Sequence, residues 1–189
     1  KLRLFSEILA DGGAAVLNRD IVEFERIAKN CRARGIAVTG FGESENAQLQ
    51  LLERTPLSSG QELTLRLDGR DHRVLLPLVG GFQTMNVLAA LGLVSRADDR
   101  PAADYLEGLA SLTGVPGRMQ LVGHHPSGAP VYVDFAHTPK ALASLFGALR
   151  PHVSGRLICV FGAGGDRDPG KRLLMGRAVH KGADVAIVT

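Results

Sequence analysis

The chain has 189 residues, with 22 Lys and Arg against 19 Asp and Glu, six His and a formal net charge of +3. At 45% hydrophobic and 22% charged it can bury one large core or two small ones, which excludes long disorder. The basic excess forms no run, so nucleic acid and membrane surfaces have little to hold, and no apolar stretch approaches the ~20 residues of a membrane span.

Residues 1–9 read as the end of a helix, with Leu2, Phe5 and Leu9 on one face, stopped by Asp11-Gly12-Gly13. Residues 14–17 are a short buried strand. Asp20 is placed to cap a helix running to Ala33, with Ile21, Phe24, Ile27, Ala28 and Cys31 as its apolar stripe. Gly35 ends that helix, and residues 36–39 form a second buried strand. Strand, helix, strand in this order predicts a parallel α/β sheet. Residues 48–78 lose the helical period: Leu63, Leu65 and Leu67 alternate with polar residues, and Asp68-Gly69 is a two-residue hairpin turn returning into 73–76. This predicts a small antiparallel meander set on the α/β core.

Gly80-Gly81 opens a helix through Leu93, and Pro101 starts another to Leu112. Residues 113–117, Thr-Gly-Val-Pro-Gly, read as a linker. Beyond it come strands at 119–122 and 131–134, a helix at 139–149, a strand at 157–161, a helix at 169–181 and a strand at 185–188. That order predicts the start of a Rossmann-like domain. The expected boundary separates residues 1–115 from 116–189. The chain opens on Lys1 and stops at Thr189 after a strand-like run, so it reads as an internal piece of a longer protein. Its two cysteines, Cys31 and Cys159, fit no zinc spacing and read as reduced, buried thiols.

Three segments carry candidate chemistry. Val160 to Arg172 follows a strand and opens a helix, where open α/β sheets bind ligands. Gly162 and Gly164 begin a G-x-G-x-x-G pattern, but Arg167 holds the third glycine's place. Gly165 to Lys171 spells G-x-x-x-x-G-K, but Arg172 replaces the Ser or Thr that would meet magnesium. Asp166 and Asp168 would also repel phosphate, so neither a dinucleotide fingerprint nor a Walker A loop is present. Asp168-Pro169 reads as an N-cap and first helical residue. Arg167, a guanidinium among glycines, suits bidentate carboxylate or phosphate recognition; a surface ion pair is its bland alternative.

In the second segment, Asp134 ends a hydrophobic strand. It is either a ribose-hydroxyl acceptor or a turn residue. His137 is a phosphate-side donor or a satisfied turn histidine, and Thr138-Pro139 starts a helix. In the third, Asn86 sits in an apolar helix, where its amide either matches adenine's donor–acceptor edge or is a buried structural group. Arg118, just past the linker, clamps a phosphate or makes an ion pair.

Taken together, Lys1-x-x-Leu4-Phe5, Gly81-Phe82-x-x-x-Asn86 with Leu88-Ala89-Ala90, Gly117-Arg118-Met119, Val133-Asp134-Phe135-Ala136-His137-Thr138-Pro139 and the Phe161–Arg172 loop resemble the Mur ligases, in family order over nearly the whole chain. The resemblance implies the end of a P-loop-type central ATP-binding domain followed by the start of a Rossmann-like C-terminal ligase domain. It implies an ATP-driven amide ligation in the bacterial cytoplasm, in which an acyl phosphate forms and an amine attacks it. The substrates would be the UDP-MurNAc-dipeptide (UDP-N-acetylmuramoyl-L-alanyl-D-glutamate) and a diamino acid, meso-diaminopimelate or lysine. A monomer with no nucleic-acid partner and no membrane insertion is expected.

By the same resemblance, Asn86 reads adenine, Arg118 and Asp134 hold phosphate and ribose with His137 nearby, and Arg167 grips a carboxylate of the incoming diamino acid. Lys1 would be a carbamylated ligand of Mg2+, which offsets phosphate charge during transfer. ATP would span two domains, with Asn86 on one and Arg118 and Asp134 on or near the other. Gln83, Gln120, Phe135 and Ala163 depart from the family's usual Asn, Glu, Tyr and Cys. The phosphate-cradling loop is absent, so this piece alone is expected to be inactive. A folylpolyglutamate synthetase-like or other Mur-type ligase, or a non-catalytic nucleotide-binding module, is the alternative.

Overall fold

A computed structural model describes residues 2–164 and 169–189. Helices and strands take the order β1 (Ala14–Asn18), α1 (Phe24–Ala33), β2 (Ala37–Gly42), β3 (Leu49–Leu57), β4 (Gly60–Leu67), β5 (Arg70–Leu76), α2 (Gly81–Asp98), β6 (Gln120–His124), β7 (Pro130–Val133), α3 (Pro139–Leu149), β8 (Ile158–Phe161), α4 (Pro169–Gly182) and β9 (Val185–Val188). A π-helical turn, Leu4–Ile8, precedes β1, and a 3-10 helix, Ala102–Ser111, follows α2. The chain forms two units: one of Lys1–Thr55, Gln61–Pro77 and Gly81–Leu112, the other of Pro56–Gly60, Leu78–Gly80 and Thr113–Thr189.

One five-stranded sheet runs in the order β1-β2-β3-β4-β5. β1, β2 and β3 pair in parallel. β4 and β5 pair antiparallel around Asp68-Gly69, both left-handed (φ 49° and 78°), as a tight primed turn requires. The expected meander is therefore an extension of the α/β sheet. Alternation does the sorting: Leu63, Leu65 and Leu67 are each no more than 1% exposed. In α1, Phe24, Ile27, Ala28 and Cys31 fall on one face and pack on Ala15, Leu17 and Ile36.

Three local expectations change. Asp20 does not cap α1, which starts at Phe24 with Glu23 at the cap position and no side-chain cap bond, and Ile21 is exposed. The Asp20 carboxylate instead accepts the backbone N–H groups of Glu43 (2.8 Å) and Ser44 (2.9 Å), tying the end of β1 to the end of β2. Pro101 precedes a 3-10 helix rather than an α-helix. The strands after the linker are not part of a parallel βαβ run: β6 and β7 are an antiparallel hairpin with a bulge between Leu121 and Gly123.

In the second unit, α3 begins as the sequence predicts. Thr138 Oγ1 accepts the Ala141 N–H (3.1 Å) with Pro139 in the first turn. β8 and β9 pair in parallel, joined through α4, which is the βαβ unit of a Rossmann-type layer. Leu142, Phe146, Leu157, Met175 and Val179 form the core beneath them. Both cysteines are free. Burial pushes the Cys31 and Cys159 thiols above their ordinary pKa, so neither has the character of a reactive thiolate, although Cys159 is only half-buried.

Asp184 closes this layer. Its Oδ2 accepts from Arg150 Nη1 (2.9 Å) and from the Leu157 N–H (2.7 Å). The Arg150 bond, then the backbone bond, hold its carboxyl below the usual carboxylate range. A depressed folded pKa stabilises above the unfolded value, near ~3.9, and that stabilisation is lost as pH falls through the folded value. Asp184→Asn should therefore melt earlier than the parent at neutral pH. The gap should narrow as pH drops from about 5 to about 3, because the parent loses its charge advantage there. Melting temperature against pH checks this.

Candidate functional site

The second unit holds three of the predicted residues, Arg118, Asp134 and His137, with the flagged Gln120 and Phe135. Asp134 follows β7, and both its carboxylate oxygens receive backbone N–H groups: Met119 to Oδ2 at 2.9 Å and Ala136 to Oδ1 at 2.8 Å. The Phe135 N–H donates to the Gly117 carbonyl (2.8 Å), and the Gly117 N–H donates to Gln120 Oε1 (2.9 Å). These bonds fix the turn that carries Arg118. Gly117 (φ 69°) and Met119 (φ 49°) are both left-handed there, and for Met119 that backbone costs of order 1–3 kcal/mol. Asp134 offsets the cost by satisfying Met119. It is thus a turn residue, with further lone pairs available for hydroxyl donors.

Arg118 is exposed, and its guanidinium lies 5.4 Å from the centroid of the Phe135 ring. Phe135 is 64% exposed and meets His137 edge-on, ring centroids 5.2 Å apart. His137 Nδ1 pairs with the Phe135 carbonyl (3.1 Å), which orients its ring, and Nε2 has no hydrogen-bond partner among the described residues. The Phe135 ring thus has a guanidinium on one contact and an imidazole on another, and the Asp134 carboxylate holds the turn beside them in sequence. Such an arrangement can take an anion beside Arg118 and hydroxyls beside Asp134. The supports Phe135 and Gln120 were legible only as substitutions in a motif. Nothing local marks Gln120 as the acceptor for Gly117.

Asn86 belongs to the first unit, on α2. It is exposed, which overturns the buried-structural-amide alternative. Its Nδ2 donates to Gln83 Oε1 at 3.1 Å, while Gln83 is 8% exposed. Their spacing of three puts both amides on one helix face, a signal the sequence itself carries. Lys1 and the Gly165–Asp168 stretch with Arg167 lie outside the described residues.

A groove of about 450 Å³ in the first unit is lined by Glu43, Glu45, Glu53 and Arg54 with Gln50, Leu51 and Leu52. Three carboxylates against one guanidinium make it a poor seat for a polyphosphate, and none of the predicted site residues lines it. Among the described residues there is no group of three or more His, Cys, Asp or Glu that could hold a metal ion. Among them, too, no helix is long and apolar enough to cross a membrane.

Two family models match the chain: the Mur ligase middle domain over residues 1–94 and the Mur ligase glutamate ligase domain over residues 117–189. The chain belongs to the Mur ligase family. It is 49% identical, over all of its length, to a UDP-N-acetylmuramoyl-L-alanyl-D-glutamate–2,6-diaminopimelate ligase of Caulobacter vibrioides, and 42% identical to the ligase of the same name from Zymomonas mobilis. It spans 38% of the length of each. A solved structure of a ligase with that name superposes with a TM-score of 0.76 at 30% identity, covering 99% of this chain and 38% of that one. A folylpolyglutamate synthase of Mycobacterium tuberculosis, solved with ADP and AMPPCP, shares the fold: TM-score 0.68 at 22% identity, over 93% of this chain and 38% of that one.

Proposed function

We propose that the full-length protein is an ATP-dependent acid–amino-acid ligase of peptidoglycan synthesis. It adds meso-diaminopimelate to UDP-N-acetylmuramoyl-L-alanyl-D-glutamate in the cytoplasm, acting as a monomer. The names of the relatives support the substrates. The observation that carries the reading for this chain is the Asp134 carboxylate, which holds the turn that carries the exposed Arg118 guanidinium over Phe135.

In this reading residues 1–115 are the C-terminal part of the ATP-binding central domain, and residues 116–189 begin the ligase domain. Asn86 pairs with the adenine edge, Asp134 accepts from ribose hydroxyls, and Arg118 and His137 donate to phosphate oxygens. ATP activates the dipeptide's free carboxylate as an acyl phosphate, and Mg2+ supplies positive charge to the phosphates when bound. Lys1, as a carbamate, would be this chain's contribution to the metal, and Arg167 would hold a carboxylate of the diamino acid. The incoming amine then displaces phosphate and forms the amide.

Asn86→Ala and Asp134→Ala in the full-length enzyme test the nucleotide assignment. Asn86→Ala removes neutral hydrogen bonds and should raise the ATP KM by roughly 3- to 10-fold. Asp134→Ala removes a charged acceptor and frees the Arg118 turn, so about 10- to 100-fold is expected. An unchanged ATP KM in both variants would remove these residues from the site.

A further inference from the structure

We infer that His152 is a positioning residue for the nucleotide site: as a neutral imidazole it holds Gly80, which leads into α2, and so sets the start of the helix that carries Asn86. The inference rests on the proposed reading of adenine by Asn86. His152 ends a 3-10 turn, Arg150–His152, directly after α3, and is partly buried. Both of its ring nitrogens meet backbone groups. Nδ1 lies 2.7 Å from the Leu57 carbonyl oxygen, and Nε2 accepts the Gly80 N–H at 3.1 Å. These partners stand 95 and 72 residues earlier in the chain. All three segments belong to the second unit.

A carbonyl can only accept, so Nδ1 carries the hydrogen; a backbone N–H can only donate, so Nε2 is bare. Only the neutral ring with its hydrogen on Nδ1 does both. Turning the ring over puts carbon where each nitrogen stood, so neither bond is regenerated. Protonating it sets a second N–H against that of Gly80. Gly80 directly precedes Gly81, the first residue of α2, and its φ of 95° is open to glycine. The N–H at this position is the one a capping box ties down from three residues further on. That residue is Gln83, whose Oε1 is engaged by Asn86, and the tie to Gly80 comes from His152. The charged surroundings give the imidazolium no support. Pro56–Gly60 and Leu78–Gly80 contain no titratable side chain, and α3 has only Lys140, in its first turn. Arg150, on the turn itself, is paired with Asp184. The tie is therefore present at neutral pH and lost as pH falls through the range in which imidazoles take up a proton. The sign is a weaker ATP site in acid.

The test measures ATP kinetics against pH in the full-length enzyme. His152→Phe keeps a ring and loses both bonds. At about pH 7.5 its ATP KM should be roughly 3- to 10-fold above the parent's, with kcat within about twofold, the equivalent of one neutral hydrogen bond. His152→Gln offers one donor and one acceptor and does not titrate, so its ATP KM should stay close to the parent's at that pH. At about pH 5.5 the parent's KM should stand roughly 3- to 10-fold above that of the Gln variant, because protonation of ATP itself affects both alike. A His152→Phe KM within about twofold of the parent's would overturn the inference. So would a parent-to-Gln ratio that stays constant with pH, which remains decisive if the Phe variant does not fold. Hydrogen exchange at the Gly80 amide and the Asn86→Ala variant separate the two levels. An unchanged ATP KM in Asn86→Ala sinks the base reading and this inference with it. A raised KM there, beside a Gly80 N–H that exchanges without protection in the parent at neutral pH, sinks only the role of His152.

Discussion

Gly42→Ala should cost the protein on the order of 2–4 kcal/mol of stability, a fall of roughly 10 °C in melting temperature. β2 ends at this glycine with φ 144°, a region closed to side chains with a Cβ. A Cβ there would also run into the Asp20 carboxylate. Asp20 cannot step aside without releasing the Glu43 and Ser44 N–H groups. Backbone strain and collision therefore add. Asp20→Ala alone should cost less, about 1–2 kcal/mol, because the freed N–H groups reach water. The double variant should be more stable than the sum of the two single losses by about 1 kcal/mol, since the collision needs both partners. Denaturant titration of the four proteins measures the coupling. Strict additivity would mean that the carboxylate does not press on Gly42.

Arg167→Lys in the full-length enzyme should weaken diamino-acid binding by about 10- to 100-fold and leave the apparent affinities for ATP and the UDP-sugar dipeptide nearly unchanged. Arg167 lies outside the described residues, so the argument is chemical. The incoming amino acid must keep its attacking amine free while a fixed cation holds a carboxylate. A guanidinium does so through two parallel hydrogen bonds. Lysine keeps the charge and loses the fork. Charge-assisted bonds are worth about 1.5–3 kcal/mol each, and the loss of one gives the stated range. If Arg167 were only an ion-pair partner of Asp166 or Asp168, titration of the diamino acid would give the same apparent affinity for variant and parent.

Much of the architecture was readable because its signals are local. The α3 start is written in Thr138-Pro139, and the β4–β5 turn in Asp68-Gly69 between alternating leucines. What the sequence hid depends on partners distant along the chain. Asp20 precedes a helix as a cap would, yet its hydrogen-bond donors lie 23 and 24 residues later. Strands at 120–124 and 130–133 are close enough to pair with each other, but chain order alone did not separate a hairpin from the opening of a parallel sheet. Asp134 drew attention as a strand-end carboxylate. Its hold on Met119, 15 residues earlier, needed the folded chain. Of the proposed site, the positions of Asn86, Arg118, Asp134 and His137 came from motifs. Their supports, Gln83, Gln120 and Phe135, stand out in the sequence only as departures from the family pattern.

The central claim is an ATP-driven amide ligation. It is tested most directly by incubating the full-length protein with ATP, Mg2+, UDP-N-acetylmuramoyl-L-alanyl-D-glutamate and meso-diaminopimelate, and following products by mass spectrometry alongside phosphate release. The account predicts a UDP-linked tripeptide carrying one diaminopimelate residue, formed with one ADP and one phosphate per amide. ATP hydrolysis without an amide product would contradict it, and so would glutamate appended to a folate in a parallel incubation that supplies both in place of the UDP-sugar dipeptide and diaminopimelate.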